Sequence, residues 1–373
     1  MQASFDIPFS PDVLDYLSVL SAQLMRDSAT RAFPDVGTFA FFCRKANLEK
    51  WKKAYGPLDG RVGRGVVFHI APSNVPVNFA YSMAVGLLAG NANIVKVSSK
   101  DFPQVTLIRK HLEALQETHP VGKRVKIVHY PNTREQTDAY SSQADVRVIW
   151  GGDATIAAIR QSPLPPRSFD VCFADRYSIA AIDADAVFRA TEQELSALAE
   201  GFYNDTYLFD QNACSAPHLV LWRGAEAGRT RFWKAVHQVA TAKYPFQDVQ
   251  AIDKLDALFS QAVAIGSRQI PTQDNLLVRA SLDTLPQDID AYRCTGGYFL
   301  EHTLVSLSEL SAIVNRKYQT LAYYGFSPTE LQDAVCGLPG IDRIVPIGKT
   351  TEFSLFWDGF DLIRTLSRVV TIA

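Results

Sequence analysis

A chain of 373 residues with 47% hydrophobic and 20% charged residues, 21 Gly and 19 Pro has the make-up of an ordinary folded protein of about two domains. Collagen-like, disordered and low-complexity classes are excluded. Lys plus Arg at 37 against Asp plus Glu at 39 leaves a net charge of -2, with no basic excess to neutralise nucleic-acid phosphates or to grip an anionic membrane.

The expectation is therefore no nucleic-acid partner. No membrane span is expected either, because the longest weakly polar stretch, Val77 to Gly90, contains Asn78 and falls far short of the roughly 20 residues a bilayer needs. Met1-Gln-Ala-Ser-Phe-Asp6 has no cationic n-region, so export is not expected. Five scattered cysteines (43, 172, 214, 294 and 336) suit free thiols in a reducing cytoplasm better than a disulfide framework. A cytoplasmic location is expected.

Residues 1–59 read as a peripheral helical lead-in, with Val13, Leu14, Leu17, Leu20 and Leu24 at helical spacing and Phe39, Phe41 and Phe42 following. From Gly65 the pattern becomes β-α-β: Val66 to Ile70, then Val77 to Ala89 with Gly90 as a stop, then Ile94 to Val97. The next helix takes Asp101 as its cap and Pro103 in its first turn, with Val105, Ile108, Leu112 and Leu115 on one face. Strands follow at Val125 to His129 and at Val146 to Trp150, the latter ending in Gly151-Gly152-Asp153 before a small-residue helix. Such alternation predicts a parallel sheet covered by helices on both faces, with ligands at the carboxyl ends of its strands. A second α/β layer runs from a helix at Thr191 to Phe202, through a strand at His218 to Trp222 and helices to Phe259, to further strands in residues 276–324. The boundary is placed near residue 200.

Chemistry is sought first in Gly60-Arg-Val-Gly63-Arg-Gly65. It precedes a strand, whereas a dinucleotide fingerprint follows one, so it reads as a surface turn. No Walker A loop, no G-x-S-x-G elbow and no H-E-x-x-H occurs, and the seven histidines show no ligand spacing, so no metal is expected. The run Ile70-Ala-Pro-Ser-Asn74-Val-Pro76 places a carboxamide at a strand's carboxyl end. Asn74 there either donates to an oxyanion or caps the helix beginning near Pro76. Cys214 lies among small and polar residues just before a strand, where amides can activate a thiol. Cys43, Cys172, Cys294 and Cys336 read as small buried core residues.

Gly65-Val-Val-Phe-His-Ile-Ala-Pro-Ser-Asn74-Val-Pro76, then Ala89-Gly-Asn-Ala-Asn-Ile-Val-Lys96-Val-Ser-Ser99, then Gln211-Asn-Ala-Cys214-Ser-Ala-Pro217 resemble, in order and separation, the aldehyde dehydrogenase superfamily. The chain is more closely similar to the LuxC-type acyl-CoA reductases, which have counterparts of Phe42-Cys-Arg-Lys-Ala-Asn47, Asn315-Arg-Lys-Tyr-Gln-Thr320, Asp342-Arg-Ile-Val-Pro-Ile-Gly348 and Trp357-Asp-Gly-Phe-Asp361. The resemblance implies an aldehyde dehydrogenase-like fold of two α/β domains with a Rossmann-like parallel-sheet cofactor domain. Residues 1–200 would form the lead-in and NAD(P)-binding domain, 201–345 the catalytic domain, and 346–373 a C-terminal segment free to return to the cofactor domain.

The same resemblance makes Cys214 the nucleophile, with the Asn74 side chain and the Cys214 N–H as oxyanion hole. It assigns cofactor binding to Ser73, Lys96, Ser98, Ser99, Gly151 and Gly152. Lys96 would hold the adenosine ribose and Gly151-Gly152 would open the helix facing the pyrophosphate. The general-base Glu of the oxidising members falls near Cys172, with no carboxylate in register; Glu301 is the candidate for the Glu that contacts the nicotinamide ribose. Ser99 stands where NAD-preferring relatives carry a Glu, which favours NADPH over NADH. The implied reaction is NADPH-dependent reduction of an acyl-CoA or acyl-carrier thioester to the aldehyde. A Cys-dependent acyltransferase or thioesterase is the alternative. A homo-oligomer and acyl-activating or acyl-transferring partner enzymes fit the same picture.

Overall fold

The computed structural model describes residues 1–131 and 133–371 and divides into two compact α/β units, Met1–Asp175 with Phe353–Ala373, and Arg176–Glu352. In the first unit, α1 (Pro11–Arg26), α2 (Pro34–Phe42) and α3 (Lys45–Tyr55) form the lead-in, α1 and α2 each opening on a proline whose fixed φ suits a first helical turn. Then come β1 (Arg61–Gly63), β2 (Val66–Ile70), α4 (Asn78–Leu88), β3 (Ala92–Lys96), α5 (Pro103–Thr118), β4 (Val125–Val128), α6 (Arg134–Ser141), β5 (Val146–Trp150), α7 (Asp153–Ile159) and β6 (Phe169–Phe173). Strands β2 to β6 make one parallel sheet in the order β4-β3-β2-β5-β6. Every residue of β2, β3 and β5 is buried, as strands covered on both faces require. The chain winds from β2 out to β4 and then crosses to β5, so the order reverses between β2 and β5.

Three expectations are corrected here. The glycine-rich run 60–65 is more than a turn, since Arg61–Gly63 pairs antiparallel with Ser367–Val369 at the far end of the chain. A Cβ on Gly63 would meet the Gly90 carbonyl oxygen at 2.2 Å, so close backbone packing accounts for that glycine. Helix α5 is capped at Phe102 without a side-chain bond, leaving Asp101 outside the capping position. Of the four cysteines read as buried, only Cys43 is; Cys172 and Cys294 are half-buried and Cys336 is exposed. Cys172 sits on β6, the sheet's edge strand, which explains its partial exposure.

The second unit contains β7 (Tyr177–Asp183), α8 (Ala184–Arg189), α9 (Glu192–Thr206), β8 (Pro217–Arg223), α10 (Glu226–Lys243), α11 (Asp248–Ile265), β9 (Arg268–Ile270), β10 (Val278–Leu282), β11 (Tyr298–Thr303), β12 (Tyr318–Tyr324) and β13 (Arg343–Pro346). They order as β13-β12-β7-β8-β11-β10-β9, parallel except for β9 on β10. Thr191 opens α9 with a reciprocal cap: its hydroxyl accepts the Glu194 N–H at 3.3 Å and its own N–H donates to Glu194 Oε2 at 2.8 Å. The units divide at Asp175/Arg176, ahead of the expected residue 200, because β7 is a wholly buried central strand of the second sheet. The segment grouped with the first unit starts at Phe353, later than the expected 346.

One buried polar chain ties three strands of the first sheet to α4. Trp150 Nε1 donates to Ser82 Oγ at 3.1 Å, so the Ser82 hydroxyl turns its proton to His69 Nδ1 at 2.7 Å, and His69 Nε2–H donates to Asn93 Oδ1 at 2.7 Å. His69 is fully buried, and burial holds it neutral by lowering its pKa from 6.5 to about 4, against the Asn93 hydrogen bond that works the other way. Unfolded histidine takes up its proton near pH 6.5 while the folded one waits until about 4, so the unfolded state binds more protons across that window. Stability is expected to fall as pH drops from 6.5 towards 4, by up to about 1.4 kcal/mol per pH unit from this group. Urea unfolding at stepped pH should show that slope in the wild type and a slope one proton smaller in His69→Gln; an unchanged slope refutes the assignment.

Candidate functional site

The carboxyl edge of the first sheet gathers the predicted positions of that unit. Ser73 and Asn74 follow β2 and are exposed; Lys96 ends β3 in register with Ile70; Gly151 and Gly152 follow β5, whose Ile149 pairs with Ile70 from the other side. The loops after β2 and β5 thus flank the point of strand-order reversal, where doubly wound sheets take ligands. Asn74 is not a helix cap: α4 starts at Asn78, and its N-cap is Val77, with no side-chain cap bond.

Lys96 is almost entirely buried, with Nζ 5.0 Å from the Tyr130 ring centroid, and burial pulls its pKa below the usual lysine value. Beyond it, Ser98 Oγ accepts the Lys100 N–H at 3.0 Å, which folds the exposed Ser99 and Lys100 into a turn and leaves the Ser98 hydroxyl proton to donate. An ammonium, two hydroxyls and a second lysine in succession suit a sugar-phosphate ligand. Gly152 caps α7 with open space around it, but α7 has only seven residues and Asp153 fills its first turn. That carboxylate opposes the helix end's attraction for a phosphate.

Cys214 belongs to the second unit, between α9 and β8, and is half-buried. Two consecutive left-handed residues, Asp210 (φ 52°) and Gln211 (φ 58°), turn the chain after α9. The buried Gln211 carboxamide then makes four hydrogen bonds. Its Nε2 donates to the carbonyls of Pro217 (3.1 Å) and Tyr298 (3.0 Å), and its Oε1 accepts the N–H groups of Gly297 (2.8 Å) and Tyr298 (3.1 Å). The Asp210 carboxylate accepts the Tyr244 hydroxyl at 2.7 Å. Ser178 Oγ donates to the Cys214 carbonyl at 2.7 Å and accepts the Thr320 N–H at 3.2 Å, so β7 holds the cysteine's carbonyl through a hydroxyl that β12 braces. Ser178 carries no sequence signal because β7 shows no clear strand pattern, and nothing near Gln211 in sequence points to the partners it holds.

Two carboxylates prove structural. Glu301 is buried on β11, where both oxygens are taken by the Arg279 guanidinium and Oε2 also accepts from Trp222 Nε1 (2.6 Å) and Trp233 Nε1 (3.2 Å). Buried and engaged by these three side chains, Glu301 belongs to the scaffold of the second sheet rather than to a ribose contact. On β6, Asp170 is held by Arg147 at 2.7 and 3.1 Å. Several quoted motif residues also serve the scaffold. Asn47 donates to the Phe42 carbonyl, Asn315 to Asp290, and Arg343 to the Thr350 carbonyl, while Asp342 pairs with Arg176. Among the described residues no helix is long and apolar enough to cross a membrane, and no cluster of three or more His, Cys, Asp or Glu side chains is placed to hold a metal.

Residues 16–243, a stretch that includes both Asn74 and Cys214, match the family described as acyl-CoA reductase (LuxC). The long-chain acyl-protein thioester reductase of Vibrio harveyi is 22% identical over 321 residues, covering 82% of this chain and 63% of that protein. Its counterpart in Photobacterium phosphoreum is 26% identical over 322 residues, covering 82% of this chain and 62% of that protein. This chain thus spans less than two thirds of the length of these curated relatives. Among solved structures, aldehyde dehydrogenase 21 from Physcomitrella patens superposes with a TM-score of 0.67 at 14% identity, over 96% of this chain and 85% of that one. The fold is therefore the α/β fold of the aldehyde dehydrogenases, and by its match through residues 16–243 the chain belongs to the acyl-CoA reductase (LuxC) family.

Proposed function

We propose that this protein reduces an acyl thioester, presented on coenzyme A or on a carrier protein, to the free aldehyde with NADPH, through an acyl intermediate on Cys214. The observation that carries the reading is the fixed Cys214 segment: a half-buried thiol on a loop pinned by Gln211 and by Ser178. A loop held this way keeps a nucleophile in one geometry, which is worth more than reactivity alone.

In the proposed step the Cys214 thiolate attacks the thioester carbonyl, forming one C–S bond and an alkoxide. The Asn74 carboxamide and the Cys214 N–H donate to that oxyanion. Collapse expels the carrier thiolate, which takes a proton, and leaves the acyl group on Cys214. A bound nicotinamide supplies hydride chemistry, with Ser73, Lys96, Ser98, Ser99 and the Gly151-Gly152 turn as the residues that hold it. Once the acyl carbon is reduced, the Cys214 thiohemiacetal breaks its C–S bond, releasing the aldehyde and restoring the thiolate. The thioester must come from an acyl-activating or acyl-transferring enzyme, and a cytoplasmic setting suits that supply.

NADPH oxidation assayed against acyl-CoAs of graded length, with mass spectrometry of the Cys214 adduct, tests the whole reading. Cys214→Ala should lose all acyl reduction yet fold and bind nucleotide; retained turnover refutes the nucleophile. Acyl-CoA consumption without NADPH oxidation in the wild type points instead to a transferase or thioesterase. Asn74→Ala should lower kcat by roughly 10²-fold or more with nucleotide affinity kept.

Gln211→Leu keeps the side chain's bulk but strands four buried backbone groups, so we expect a loss of roughly 2–4 kcal/mol in denaturant unfolding. Asn212→Ala, exposed next door, loses only the local bonds from its Nδ2 to the Phe209 and Asp210 carbonyls (3.3 and 3.2 Å) and should cost no more than about 1 kcal/mol. Equal effects from the two changes would show that the Gln211 network does not hold the loop.

The cofactor preference rests on Ser98, Ser99 and Lys100. Ser99→Glu should weaken NADPH affinity and erase or reverse the NADPH preference in kcat/KM, because a carboxylate there repels a 2′-phosphate. Equal efficiency with both cofactors in the wild type, or an unchanged NADPH affinity in the variant, refutes it.

A further inference from the structure

The turn that leads from α9 towards Cys214 is closed by the Gln211 N–H on the Thr206 carbonyl (2.8 Å) and the Asp210 N–H on the Tyr207 carbonyl (3.0 Å), the paired bonds of a Schellman closure. Its left-handed position is one that glycine ordinarily fills, because a Cβ there crowds the backbone. Here the position holds Asp210, and Gln211 after it is left-handed as well. The turn that faces it from ahead of β11 meets the same demand with Gly296 (φ 67°) and Gly297 (φ 91°). The two are joined where the Gly296 N–H donates to the Asp210 carbonyl at 3.1 Å and the Gly297 N–H to Gln211 Oε1 at 2.8 Å. Backbone strain is thus kept on the cysteine's side of the contact and relieved on the other.

The Gln211 carboxamide bridges the two turns, and the Asp210 carboxylate gives that position a use that glycine lacks. A one-way chain of hydrogen bonds from the corner between α10 and α11 ends on it. The Gln247 N–H donates to Gln250 Oε1 at 3.0 Å, Gln250 Nε2 donates to the Tyr244 hydroxyl at 2.6 Å, and the hydroxyl donates to Asp210 Oδ1 at 2.7 Å. Tyr244 caps the end of α10 and is buried, with its ring edge-on to Tyr207 at 5.1 Å. Packing therefore fixes the ring and Gln250 fixes its oxygen, so a rigid phenol grips a carboxylate that is itself exposed. A hydrogen bond to an ionised acceptor is stronger than one between neutral groups.

We propose that Tyr244 is a positioning residue for the nucleophile: through Asp210 it holds the strained turn four residues ahead of Cys214 in one conformation, and so sets where the thiol meets the thioester carbonyl. Reactive groups displaced by a fraction of an ångström lose much of their rate, which gives such an anchor its value. The inference rests on the proposed reaction and deepens it, because it extends the control of Cys214 to the corner between α10 and α11.

Tyr244→Phe keeps the ring and its packing and removes only the anchor, while Asp210→Gly removes the acceptor and gives the backbone the residue that the turn prefers. Both should lower kcat for NADPH-dependent acyl-CoA reduction by the full chain roughly fivefold or more, with KM and NADPH affinity within about twofold. The double variant should be no slower than either, since both changes act through one bond. Asp210→Asn, which keeps an acceptor and tolerates the left-handed region, should recover most of what Asp210→Gly loses. Asp210→Gly should keep the wild-type thermal midpoint, so that its lower rate is not lost stability. Acylation of Cys214 by acyl-CoA without NADPH, followed by mass spectrometry, separates the two readings. Absence of a wild-type adduct overturns the proposed reaction and this inference with it, whereas a wild-type acylation rate in Tyr244→Phe overturns the positioning role alone. Wild-type kcat in Asp210→Gly, or a double variant whose losses multiply, overturns that role as well.

Discussion

Both sheets are covered by helices on their two faces, so their central strands must be nearly continuous apolar runs, and the side chains that chemistry needs are displaced to strand ends. In the first unit that puts Lys96 at the carboxyl end of β3, and Ser73, Asn74, Ser98 and Gly151 just beyond the ends of β2, β3 and β5. In the second it puts Cys214 on the short approach to β8, where strand ends supply the bonds that fix it. Two polar groups kept within the layers form closed sets: His69 with Ser82, Asn93 and Trp150, and Glu301 with Arg279, Trp222 and Trp233. Unpaired, such groups would each cost about 1–3 kcal/mol or more. Their saturation is what makes them scaffold.

The same constraint decides what could be read from the sequence. Strands β2 and β5 and helix α4 were legible because a mostly apolar run closed by a nearby Gly or Pro has few other uses. Strand β7 was not, since its centre is Ile179-Ala180-Ala181-Ile182 and alanine carries little strand preference. The structure shows why small residues sit there: Ala180 and Ala181 belong to the apolar clusters on opposite faces of the sheet, below closely packed side chains. Missing β7 moved the expected boundary and hid Ser178 together. Strand β1 was invisible for another reason, as its partner lies at the opposite end of the chain. At the candidate site, residue type exposed Cys214 and Asn74, whereas the work of Gln211 depends on Gly297 and Tyr298, which no local pattern links to it.

The pieces that made the family resemblance visible therefore divide into two kinds. Asn47, Asn315 and Asp342 are spent on hydrogen bonds that join loops to elements, so their likeness to the family speaks for the fold. The segments around Asn74, Lys96 and Cys214 remain for the chemistry, and the proposed reaction rests on them alone.

What separates reduction from oxidation in such a fold is whether water is activated against the acyl-enzyme, and strand β6 bears on this directly. The resemblance to the aldehyde dehydrogenase superfamily implies a base position near Cys172, and the adjacent carboxylate in that strand is Asp170. Its two oxygens are engaged by the Arg147 guanidinium, which is 1% exposed. Freeing Asp170 to take a proton from water would leave a buried guanidinium unpaired, at a cost of roughly 3–5 kcal/mol. A thiol flank at Cys172, with its pKa raised by burial, is no substitute for a base. Strand β6, where that resemblance implies the hydrolytic base, is thus committed to holding its own sheet together, and this supports the proposed reading in which the acyl group stays on Cys214 until it is reduced.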